Sequence, residues 1–171
     1  MDKIEVLILR NLLYNEKYLR KVLPFIKPDY VEDPNQKVVY EEIFNYVNQY
    51  NSLSTKEVLC IEAEKRTDIN DTSFKEVTKL ISYLEDEPTD YDWLIDTTEK
   101  WCRDRAIYLA LMESIALADG SDEQKGRDAI PGILSDALAV SFDSNIGHDY
   151  LNDYEERFKF YTQKEDRIPF D

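Results

Sequence analysis

From Thr89 to Asp119 the chain runs without a proline or glycine. Its apolar residues recur at helical spacing, and at 1.5 Å per residue such a helix is a rod of roughly 45 Å, longer than a small helical bundle is wide. It has to project beyond whatever it packs against. Leu94, Trp101, Tyr108 and Ile115 stand seven apart, with Ile95, Cys102, Leu109 and Ala116 beside them. A stripe of that period drifts little around the helix and needs a second helix to cover it. Gly120 and the polar residues 121–127 supply a turn, after which Asp128 is expected to cap a returning helix with Ile130, Ile133, Leu134, Ala137, Leu138 and Phe142. Pro131 is tolerated in the first turn of that helix. An antiparallel helical hairpin follows. Its projecting end buries only one side of each arm, so part of the stripe Leu94, Trp101, Tyr108 and Ile115, together with Ile130, Leu134 and Leu138, is expected to lie between chains.

Shorter helices precede the rod. Ile4, Leu7, Ile8, Leu12 and Leu13 mark one, and Tyr18, Leu19, Val22, Leu23 and Ile26 mark another after Asn15. Lys27-Pro28-Asp29 breaks the pattern, and Pro34 suits the first turn of a helix carrying Val38, Val39, Ile43, Phe44 and Val47 to about Asn51. Ser54-Thr55-Lys56-Glu57 has the capping-box pattern, with Ser54 as the expected cap, ahead of Val58, Leu59 and Ile61. Phe74, Val77, Leu80, Ile81 and Leu84 mark a fifth helix. The expectation is an all-α chain: a small helical bundle over 1–88, the hairpin over 89–142, and a linker with a linker helix over 143–171. In that last segment Tyr150, Tyr154, Phe158 and Tyr161 share one helix face, beside Leu151, with nothing obvious to lie against.

Charge and residue counts narrow the chemistry. Thirty-six Asp and Glu against 21 Lys and Arg give a formal charge of -15, which repels the phosphates of nucleic acid and anionic lipid alike. His148 is the one histidine, and it has no ligand-spaced carboxylate or cysteine partners, so it is taken as a solvated or capping residue. Cys60 and Cys102 have no metal or redox spacing and sit among apolar neighbours, as inert thiols do. The four glycines fall in no phosphate-loop pattern. Glu41-Glu42 and Glu155-Glu156 each lack the third carboxylate of a magnesium-binding Glu-Glu-x-x-Glu motif, and the acidic run Glu85 to Asp96 is taken as a solvated helix start. There is no signal pattern and no apolar run long enough to cross a bilayer, which points to a reducing cytoplasm.

The order of parts, a bundle, a long hairpin, a linker and an amphipathic helix ending in Ile168-Pro169, resembles the front of the ring-shaped replicative DNA helicases of the DnaB type. Ser141-Phe-Asp-Ser-Asn-Ile-Gly-His-Asp-Tyr-Leu-Asn-Asp-Tyr-Glu-Glu-Arg157 is similar to the linker region of the T-even-like phage members of that family, and Asp92-Trp93-Leu94, Thr98-Glu99-Lys100 and Arg105-Ala106 also look like it. The resemblance implies that hairpins pair into dimers and that amino-terminal domains form a collar, commonly a trimer of dimers, above the ATPase ring. It implies that the linker helix, through Tyr150, Leu151, Tyr154, Phe158 and Tyr161, packs on the neighbouring subunit's ATPase domain, and that primase docks on the collar. A helicase loader is a further implied partner; DNA is met only through the complete ring, and no membrane is involved. The ATPase domain, for which ATP and magnesium are expected, would begin after Ile168-Pro169, so none of its catalytic residues can be carried over and no cofactor is expected for this chain. The competing expectation is a free-standing acidic phage regulator that binds a host protein or mimics the charge of DNA.

Overall fold

The computed structural model describes residues 3–121 and 125–142. Among them are seven α-helices and no strand. The first, α1 (Lys3–Tyr14), ends at Asn15, whose side chain accepts from the Tyr18 amide and starts α2 (Glu16–Val22). A 3-10 turn, Pro28–Tyr30, forms where the sequence breaks pattern. Asp33 accepts from the Asn35 and Gln36 amides ahead of Pro34, the first residue of α3 (Pro34–Tyr50). That helix closes on Asn51 in the left-handed conformation, φ 51°, which asparagine tolerates better than most residues.

The cap of α4 (Lys56–Glu64) differs from expectation. Thr55, not Ser54, accepts from a first-turn amide, that of Val58. Ser54 is buried two residues before the helix. Either hydroxyl fits the local pattern, and the direction in which the chain enters from Leu53, packed on the core, selects the second. Asn70 caps α5 (Asp71–Tyr83), and Asp90 caps α6 (Tyr91–Asp119) by accepting from the Trp93 amide. Gly120, at φ 83°, ends α6 in a left-handed turn that a Cβ would strain.

The returning arm is shorter than the apolar spacing suggests. Asp128 lies inside a 3-10 turn, Arg127–Ala129, and caps nothing; α7 (Ile130–Leu138) starts from Ala129 without a side-chain cap. Pro131 sits in its first turn as expected. Val140 and Phe142, which continue the apolar pattern, lie beyond the helix and pack on the core from an irregular segment.

In the bundle, α3 packs against α1, α4 and α5 around Leu12, Tyr40, Ile43, Leu59 and Ile81, each almost completely buried. Full burial of side chains this size stabilises by about 1.5–3 kcal/mol apiece. The first half of α6 lies on α2 and the Pro28–Tyr30 turn, and its remaining length on α7. One apolar core runs continuously from α1 through Leu94 and Trp101 to Ala137 and Phe142.

Candidate oligomerisation face

Two sides of α6 are apolar, and they are covered differently along its length. The side that carries Leu94 and Trp101 meets the bundle. There the Tyr18 hydroxyl lies 2.7 Å from the Thr98 hydroxyl, and the Tyr30 ring meets Trp101 edge-on with centroids 6.2 Å apart. Both Leu94 and Trp101 are buried by their own chain. Of the seven-residue stripe, these two positions face the bundle of their own chain.

Beyond Trp101 the bundle ends and that side of α6 opens to solvent. Tyr108, Leu111, Met112 and Ile115 are 52%, 48%, 51% and 59% exposed. At 3.6 residues per turn these four fall within an arc of about 100°. Ala106, Ala110, Ser114 and Leu117 are buried on the opposite arc, where α7 packs. A helix with apolar residues on both flanks is one that packs on both, and here one flank has no neighbour among the described residues.

Charged groups bound the stripe. At its inner end Arg105 donates from Nε to the Tyr30 carbonyl at 2.8 Å, pairs with Glu32, and holds its guanidinium 5.0 Å from the Tyr108 ring centroid. At its outer end the Asp119 carboxylate accepts from the Ser121 hydroxyl, which holds its pKa below the usual carboxylate range. Glu113, toward the α7 flank, pairs with Lys125 at 2.6 Å and ties the rod to the turn region.

The remaining sequence-expected residues divide. Ile130 and Leu134 are half-buried on α7, whereas Leu138 is 65% exposed. Tyr150, Leu151, Tyr154, Phe158, Tyr161 and His148 lie outside the described residues. Leu111 and Met112 escaped the sequence reading because a seven-residue repeat samples only one position in each pair of turns. The signal that finds them is the i, i+3, i+4, i+7 set Tyr108, Leu111, Met112, Ile115, the pattern of a single helix face.

Among the described residues no group of three or more His, Cys, Asp or Glu is placed to hold a metal ion, and no helix is long and apolar enough to cross a membrane. Burial pushes the Cys102 thiol up to about 12, so it is protonated at neutral pH; Cys60, half-buried, is also raised by burial. Neither is an activated nucleophile.

No protein-family model matches the chain. A curated protein described as the DnaB-like replicative helicase of Enterobacteria phage T4 is 33% identical to it over 172 aligned residues, which cover 96% of this chain and 36% of that protein. The chain is homologous to a part of that helicase. It spans about a third of the T4 helicase's length, and the DnaB-type resemblance carried by the order of parts agrees with this.

Proposed function

We propose that this chain is the collar-forming, self-associating portion of a hexameric phage replicative DNA helicase, and that its collar carries the docking surface for primase. The reading rests on the open stripe Tyr108, Leu111, Met112 and Ile115, which continues the side of α6 that the bundle covers and stops being covered where the bundle ends. Homology over 96% of the chain to a part of a replicative helicase supports it over the free-standing acidic regulator.

In this reading two hairpins pair about a two-fold axis, each covering the other's stripe, and three such pairs complete the collar. The stripe is symmetric about Leu111 and Met112, so an antiparallel pairing sets Tyr108 against Ile115 of the second copy. It also brings the Arg105 end toward the Asp119 end, whereas a parallel pairing sets like charges together and crowds the two bundles at one end. The linker residues Tyr150, Leu151, Tyr154, Phe158 and Tyr161 dock on the neighbouring subunit's ATPase domain. A charge of -15 favours a basic partner such as primase, and a helicase loader is a second partner of this class. ATP and magnesium serve the ATPase portion of such a helicase, whose assembled ring unwinds DNA 5' to 3' in the host cytoplasm; no residue of this chain is assigned to that chemistry.

Cysteine trapping tests the pairing. In a Cys60→Ser background, Met112→Cys should form a disulfide-linked dimer on mild oxidation, and mixed Tyr108→Cys and Ile115→Cys chains should cross-link to each other more readily than Tyr108→Cys to itself. Failure of Met112→Cys to cross-link at tens of micromolar contradicts the proposal.

A further inference from the structure

The four residues that follow α7 are fastened to the foot of the hairpin by contacts unlike those of the helices around them. Phe142 is 1% exposed, its ring stacked on Phe25 with centroids 4.8 Å apart and planes 29° from parallel. Lys21 on α2 donates from Nζ to the Phe142 carbonyl at 2.9 Å. Arg103 on α6 donates from Nε to the Val140 carbonyl at 3.1 Å and from a terminal nitrogen to Glu99 at 2.7 Å. The Ser141 hydroxyl donates to the same Glu99 oxygen at 3.2 Å. Two cations thus hold backbone carbonyls of a segment that belongs to no helix, and one aromatic ring pins its end.

We propose that residues 139–142 are a releasable clasp that sets where the following chain departs. Closed, the clasp starts that chain at the foot of the hairpin, beside α2 and the Phe25 turn, not at the end of α7. Open, it pivots at Leu138 and adds four residues of free chain, up to roughly 13 Å of reach at about 3.3 Å per residue. Opening requires no helix to unwind. It needs the buried Phe142 ring to leave the core, Val140 to give up its packing, and the part-buried contacts of Lys21, Arg103 and Ser141 to exchange with water, a local opening that costs less than global unfolding. The consequence is a two-length connection between this domain and whatever is joined to it, with the shorter length favoured at rest. The clasp stands on contacts within one chain and is independent of how the hairpins associate.

Brief chymotrypsin digestion of the whole chain, read by mass spectrometry for the cut after Phe142, tests it, because cleavage of a transiently open segment follows its open population. The wild-type chain should be cut slowly after Phe142. Lys21→Met with Arg103→Met keeps the apolar stems and removes both cations, and should speed that cut at least tenfold with far-UV circular dichroism and thermal midpoint nearly unchanged. Phe25→Ala, which removes the stacking partner and leaves the cations, should speed it as well. Two results overturn the proposal: neither variant speeds the cut, or cutting rises equally within α1 to α6, which makes the segment inseparable from the core.

Discussion

The hydroxyls of Tyr18 and Thr98 meet 2.7 Å apart inside the protein, joining α2 to α6 across 80 positions of sequence. The Thr98 hydroxyl donates to the Leu94 carbonyl at 2.7 Å, so its oxygen is the acceptor for Tyr18, which is the donor of the pair. The chain Tyr18 to Thr98 to Leu94 holds the rod against the bundle where its inner half is buried.

That order of donation makes the two partners unequal. Tyr18→Phe removes a donor and leaves the Thr98 oxygen still donating to Leu94, for a loss of about 0.5–1.5 kcal/mol; Thr98→Val leaves the Tyr18 hydroxyl buried without an acceptor and should lose about 1–3 kcal/mol. Urea unfolding of both single variants and the double variant checks this. The double variant should lose less than the sum of the two, since it strands no donor.

The cap of the rod is a second test. Asp90→Ala removes the acceptor for the Trp93 amide and should lower stability by about 1 kcal/mol, while Asp90→Asn or Asp90→Ser should restore most of it. Thermal unfolding at matched protein concentration reads the difference.

Alkaline pH should weaken the fold through Cys102. Burial raises its folded pKa from 9.0 to about 12, so below pH 9 the thiol is neutral in both states and contributes no pH dependence. Above pH 9 the unfolded chain ionises and the folded one does not, so the unfolded state binds fewer protons and stability falls as pH rises. At pH 9.5 the loss from this group is on the order of 1 kcal/mol. Buried Tyr18, also raised by burial, extends the loss above pH 10. Denaturant titrations of wild type and Cys102→Ala at pH 7.5 and 9.5 check it: the variant should lose less between the two pH values.

Much of the fold could be read from local chemistry. Asn15, Pro28, Pro34, Asn51 and Gly120 each interrupt or end a helix for reasons contained in one or two residues, and the structure has its boundaries beside them. Ser54 against Thr55, and the end of α7 at Leu138 instead of Phe142, are decided by packing across the chain, which spacing alone does not contain. The stripe shows the same limit more sharply. Leu94, Trp101, Tyr108 and Ile115 are equivalent by spacing, but the bundle stops between Trp101 and Tyr108, so two are core and two are surface. Where one element ends against another is a property of tertiary contact.

Sedimentation of the wild-type chain at tens of micromolar, beside Ile115→Asp and Trp101→Asp at the same concentration, tests the central claim most directly. Wild type should sediment as a dimer or larger; Ile115→Asp should be monomeric with its helical circular dichroism intact, because the exposed face of α6 loses only its partner. Trp101→Asp should lose helix, because that position is core. A wild-type chain that is monomeric at this concentration, or an Ile115→Asp chain that unfolds instead of dissociating, contradicts the assignment of the outer face of α6 to self-association.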